Sequence, residues 1–136
     1  MKDDEDAPSF VMPKRVAVAV KERLPDDRKS ITHHFSVTDR DGKTTDGYLT
    51  VGLYENGQPG EIFIKTGKSG SEGAVWDFAA KMASAALQYG APLENLCAKM
   101  TATQYDPSGN TSNKDIPRCS SIEDYVGRWL QKKFAK

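Results

Sequence analysis

The stretch "GYLTVGLYENGQPGEIFIK", Gly47 to Lys65, decides the fold. Tyr48 to Tyr54 alternates, with Leu49, Val51 and Leu53 pointing one way, which is the two-residue period of a half-buried strand. Asn56-Gly57 follows, a pair that accepts the positive φ values of a tight hairpin. Glu61 to Lys65 then reads as the returning strand. Upstream, Ser30 to Thr38 (SITHHFSVT) is β-branched and aromatic, with Ile31, His33, Phe35 and Val37 on one face and Thr32, His34, Ser36 and Thr38 on the other. Asp39 to Gly47 is a polar turn, Leu24 to Asp27 is another, and Arg15 to Lys21 reads as one more short strand.

Downstream the period changes to that of a helix. Across Ala74 to Tyr89, the residues Val75, Phe78, Ala79, Met82, Ala86 and Tyr89 form an apolar stripe, and Gly90 ends it as a left-handed cap. Pro92 suits the first turn of a second helix carrying Leu93, Leu96, Cys97 and Met100. After a polar connection from Thr103 to Cys119, Ser120 and Glu123 have capping-box spacing. Ile122, Tyr125, Val126, Trp129, Leu130 and Phe134 give the last helix its apolar face, and Asp124 and Arg128 can pair across one turn. Strands followed by helices predict an α+β fold: an antiparallel sheet of three to four strands, then two packed helices and a C-terminal helix. Residues 1–13, with Asp3, Asp4, Glu5 and Asp6, read as an acidic disordered tail, and 14–136 as a single domain.

The chain has 136 residues, with 19 lysines and arginines against 19 aspartates and glutamates. A net charge of zero supplies no field for steering DNA or RNA, so no nucleic-acid partner is expected. No apolar run is long enough for a membrane span and no signal peptide is recognisable, so a cytoplasmic protein is expected. The two cysteines, Cys97 and Cys119, form no CxxC pair. Cys97 falls on an apolar stripe and reads as core, whereas Cys119 stands before a helix start, a position that can lower a thiol pKa. His33 and His34 point to opposite faces of their strand and cannot share a metal, so no metal site is assigned.

Gly67-Lys68-Ser69 has the ending of a nucleotide-binding P-loop. The motif also needs a glycine five residues before Gly67, where this chain has Ile62 inside a strand, so triphosphate hydrolysis is rejected. Two readings of the loop remain: a strand-to-helix connection with serine caps, or an anion site. In the second, Lys65, Lys68, Ser69, Gly70 and Ser71 would hold a phosphate at a helix start. The Thr103–Cys119 segment is long for a plain connection. Tyr105, Asn110, Asn113, Lys114 and Arg118 could stack on and bond a base or phosphate, or the segment is simply mobile. The outer sheet face mixes Thr32, His34, Ser36 and Thr50 with Tyr48 and Tyr54, a composition open to a solvated face or a partner interface.

"RLPDDRKSITHHFSV", "GYLTVGLYENGQPGEIFIKTGKSGS", "ALQYGAPLENL", "YDPSGNT" and "SIEDYVGRWLQKKF", in that order, resemble the C-terminal region of adenosylcobalamin-dependent (class II) ribonucleotide reductases, the TSCPD-type domain. The resemblance covers Arg23 to Phe134 and leaves "VAVAV" outside. It implies radical reduction of ribonucleotides by the whole enzymes, whose catalytic cysteines sit in an upstream barrel that this chain lacks. It therefore implies a stand-alone, non-catalytic domain with no catalytic residue and no cofactor of its own. The domain would bind nucleotide or phosphate, or dock on a reductase catalytic subunit. Where the family tends to have lysine-glutamate-glycine-serine, this chain has "KTGKSGSEG". Two alternatives stand beside this: a phage-type homo-oligomer that sequesters cyclic nucleotide immune signals, offered on topology alone, and a relic fragment without ligand.

Overall fold

The computed structural model describes residues 19–67 and 71–135, and the backbone alone of Ser71. The 1–13 tail and residues 15–18 of the Arg15–Lys21 segment lie outside the described residues, and Ala19 to Lys21 form no regular element. Among the described residues there are eight elements: β1 (Ser30–Thr38), β2 (Thr44–Leu53), β3 (Pro59–Thr66), α1 (Ser71–Gln88), α2 (Leu93–Met100), β4 (Gly109–Thr111), β5 (Arg118–Cys119) and α3 (Ile122–Phe134). The architecture is α+β, as the sequence predicts. The sheet is antiparallel throughout, in the order β3-β2-β1-β4-β5.

The central hairpins are built as read. Asn56 Oδ1 accepts from the Gln58 N–H at 2.9 Å, and the Tyr54 and Gly57 backbones close the turn. The β1–β2 turn is shorter than expected: Asp39 Oδ1 accepts from the N–H groups of Asp41 and Lys43, so Thr44 to Gly47 already belong to β2. The polar connection holds two short strands that periodicity missed. In β4, Val37 pairs with Thr111 and Thr38 with Asn110, while β5 pairs on β4 through Arg118 and Cys119. These pieces, three and two residues long, are too short to show alternation.

Phe35, Val37, Leu49, Val51, Ile62 and Ile64 project from one sheet face into the core. Ile122, Tyr125, Val126, Trp129, Leu130 and Phe134 of α3 meet them, as the stripe predicts. Cys97 of α2 is fully buried. The α3 cap lies one residue later than the sequence indicates. Ser121 is the N-cap, and its Oγ accepts from the Asp124 N–H at 2.9 Å, so Glu123 is released from the capping role.

The stripe read on α1 faces the other way. Val75, Phe78, Met82 and Tyr89 remain 63%, 62%, 51% and 52% exposed. The sheet is met instead by Trp76, Ala80, Ala83 and Leu87. Both sets recur at helical spacing, so periodicity identifies the helix without telling which side is inward. Ser84 fixes the choice: its Oγ accepts from the Ile62 N–H at 2.8 Å and donates to the Ile62 carbonyl at 3.1 Å. Gln88 Nε2 donates to the Gly60 carbonyl at 3.0 Å. Side chains of α1 thus cover part of the β3 edge, a site otherwise open to pairing with another chain. Gly90, at φ +97, closes the helix as expected.

Leu87→Ala should therefore cost about 2–4 kcal/mol in urea unfolding, as for other buried leucines, and Val75→Ala within about 0.5 kcal/mol of nothing. Equal losses would show the helix turned the other way.

Candidate functional site

One broad cleft, of about 1080 Å³, opens where three segments meet. Asp39, Arg40, Asp41 and Lys43 of the β1–β2 turn form one wall, and Glu72, Val75 and Trp76 of the α1 start form another. The chain from Gln104 to Asn110, with Arg118 and Glu123, completes it. Tyr105 and Arg118 thus come to one site although 13 residues of sequence separate their numbers (118 − 105 = 13).

Each is held. The Tyr105 N–H donates to the Ser120 carbonyl at 3.1 Å, and its hydroxyl donates to Glu123 Oε1 at 3.3 Å. Burial and the Glu123 charge push the phenol up to about 12, so it stays a protonated donor at neutral pH. Arg118 Nη1 donates to Asn110 Oδ1 across the β4–β5 ladder at 2.8 Å. Of the remaining candidates in the connection, Asn113 turns inward, where its Nδ2 donates to the Tyr125 hydroxyl at 3.0 Å, and Lys114 stays exposed outside the cleft lining. Glu123, read from sequence only as a capping residue, accepts from Thr103 and Tyr105 and lines the cleft. Its capping-box spacing concealed that role.

The glycine-serine loop is described only at its ends. Lys68, Ser69 and Gly70 lie outside the described residues, and Ser71 begins α1. Lys65 is exposed, and the alternation of β3 turns it with Phe63 to the open sheet face, away from the buried Ile64 and from the cleft. It shares that face with its register partner Tyr48. Beside them His34 Nε2 lies 2.9 Å from Asp46 Oδ1, and the His34 and Tyr48 rings are 4.9 Å apart. Tyr54, grouped with this face from the sequence, is half-buried, its hydroxyl donating to the Glu22 carbonyl at 2.7 Å.

The two histidines do face opposite ways. His33 stacks with Trp129 at 4.8 Å, and its Nε2 lies 2.8 Å from the Tyr125 hydroxyl. Asn113 donates to that hydroxyl, so its own proton is free for an unprotonated Nε2. Burial, then the nearby His34 and Lys133, lowers the His33 pKa. Among the described residues no group of three or more His, Cys, Asp or Glu is arranged for a metal. Cys97 is pushed up to about 11 by burial, then by Glu94. Cys119 corrects its expectation: burial raises its pKa, and the bonds from the Gly109 and Ser121 backbones only partly offset this. Among the described residues no helix is long and apolar enough to cross a membrane.

Because the folded state disfavours His33 protonation, the unfolded chain takes that proton first as pH falls. This contribution is complete above about pH 6.5, the ordinary histidine value, and is lost below it. Urea midpoints should fall from pH 7 towards pH 5, and His33→Gln should flatten that decline. An unchanged slope in the variant would remove His33 as its source.

The TSCPD domain family matches residues 16–134 and so takes in the whole of the "VAVAV" run, Val16 to Val20, that the resemblance left outside. A vitamin B12-dependent ribonucleotide reductase of Rhodopirellula baltica is 48% identical over 111 residues, which is 81% of this chain and 10% of the relative. One from Streptomyces avermitilis is 37% identical over 116 residues, covering 85% of this chain and 12% of the relative. One from Agrobacterium fabrum is 37% identical over 112 residues, covering 81% and 8%. The chain thus spans about a tenth of the length of these curated relatives. No solved structure matches it to a significant degree. With the match running across nearly all of its length, the chain belongs to the TSCPD domain family.

Proposed function

We propose that the chain is a non-catalytic domain acting with vitamin B12-dependent ribonucleotide reductase in deoxyribonucleotide metabolism, and that it binds a nucleotide in the cleft. The observation that carries this is the meeting of Tyr105 and Arg118 in one cleft, an aromatic ring and a guanidinium within the same cavity. Its volume suits a small ligand. The relatives' name, with its reference to ribonucleotides, supports the ligand class.

The charges refine the ligand. Among the described residues of the lining, Arg40, Lys43 and Arg118 face five carboxylates: Asp39, Asp41, Glu72, Asp106 and Glu123. A triphosphate would meet more negative charge than positive. Recognition therefore rests on the base, stacked on Tyr105, and on ribose hydroxyls and amino groups donating to carboxylates. One phosphate on Arg118 is compatible with this balance. Whatever binds the folded state alone raises the melting temperature by mass action. Nucleoside and deoxynucleoside monophosphates should raise it more than the triphosphates do, and Arg118→Ala should abolish most of the shift. No shift with any nucleotide at millimolar concentration would sink the reading. The best response coming from a cyclic nucleotide would favour the sequestering function instead. If Lys68→Ala and Ser71→Ala change nothing, the glycine-serine loop is a connection.

A second reading, docking on a reductase catalytic subunit, is favoured by the open sheet face. Tyr48 and Phe63 are half-exposed there, and the relatives carry the domain within chains about ten times longer. Tyr48→Asp with Phe63→Asp should abolish co-purification with the catalytic part of the Rhodopirellula baltica reductase. Retention by the doubly substituted chain would clear that face of the role.

A further inference from the structure

The outward face of α1 has no part in the core or in the open sheet face. Val75, Phe78, Met82, Ala85 and Tyr89 follow alternating steps of three and four residues, the spacing of a helix-pairing seam. The seam runs about 21 Å along the helix at 1.5 Å per residue. Four of its five side chains expose half or more of their surface. Beside Met82, between α1, β3 and α2, lies an apolar groove of about 270 Å³ whose lining includes Ala79, Met82, Leu96 and Met100. The same surface therefore carries a projecting ring, Phe78, and a hollow able to receive one.

We propose that this face joins two copies of the chain through antiparallel α1 helices. Such a contact is isologous: each patch must be its own complement. A two-fold axis midway between positions 78 and 82 sets each Phe78 against the second copy's Met82 and the groove beside it, and each Val75 against the second copy's Ala85. Methionine sulfur on an aromatic ring is a favourable contact. The charges agree with this register. Asp77 and Lys81 are exposed on one flank of the seam, and in antiparallel pairing that flank meets its own copy. Lys81 then falls opposite the second copy's position 79, within reach of Asp77 there. A parallel pair would set that flank against the opposite flank of the second helix and part Asp77 from Lys81.

Sedimentation velocity over a concentration series should show a species of twice the 15.0 kDa chain mass. Phe78→Asp should weaken self-association by at least about thirtyfold, the scale of an interface hot spot, with its cooperative melt kept because the ring is exposed. Asp77→Lys and Lys81→Asp should each weaken it by about fivefold, and the double exchange should restore it. A chain that stays single at the highest concentration, or a dimer indifferent to Phe78→Asp, overturns the proposal. A double exchange no better than the single ones overturns the antiparallel register.

Discussion

A single buried carboxylate ties the second half of the chain together. Asp124 is 4% exposed, and its Oδ1 accepts from the Ala102 N–H at 2.6 Å. Oδ2 accepts from the Ser120 N–H at 3.1 Å and from Arg128 Nη1 at 3.3 Å. Burial opposes its charge, but the two backbone donors and the guanidinium outweigh burial and hold its pKa below the usual value. These bonds join the exit of α2, the end of the long connection and the first turn of α3. Ser120 and Ser121 reinforce them by donating to the Thr103 carbonyl at 2.8 and 2.6 Å. Both ends of the connection are therefore fixed at one point. The cleft exists because Tyr105 leaves that point and Arg118 returns to it.

Between its ends the connection is held from inside. Ile116 is fully buried, and the Thr111 hydroxyl donates to its carbonyl. Asn113 reaches the Tyr125 hydroxyl, which also meets His33 on β1. One phenol thus links sheet, helix and connection, and the flat rings of His33, Phe35 and Tyr125 stack beside it. The segment read as either functional or mobile extends the sheet by two short strands and is held by polar side chains rather than by an apolar stripe. Gly109 shows why it comes so close to β1: its φ is +148, and a Cβ there would strike the Thr38 carbonyl. Such a requirement comes from a strand far away in sequence and leaves no periodic trace.

What could be read in advance follows from this division. The β1 alternation, the Asn56-Gly57 hairpin, the Gly90 cap and the apolar face of α3 are local patterns, and each appears in the structure. The inward face of α1, the strands β4 and β5 and the cap at Ser121 depend on distant partners. The candidate site divides in the same way. Residue type marked Tyr105 and Arg118 as able to hold a base and a phosphate, but only the Asp124 clamp sets them in one cavity. Lys65 failed to join them because strand alternation, legible in principle, turns it to the opposite face.

The two apolar sides of α1 differ in a way that bears on association. The inward side is rich in small residues, Ala80, Ala83 and Ser84, which let the helix lie close enough for Ser84 and Gln88 to bond the β3 backbone. That side completes the fold. The large outward residues add less to folding, because half or more of their surface stays exposed in the folded chain. Their burial becomes favourable only when something else covers them. With 19 charges of each sign the chain has no net repulsion to keep copies apart. An exposed seam, a groove beside it and a neutral chain all favour self-association, and Asp77 and Lys81 give that tendency a direction.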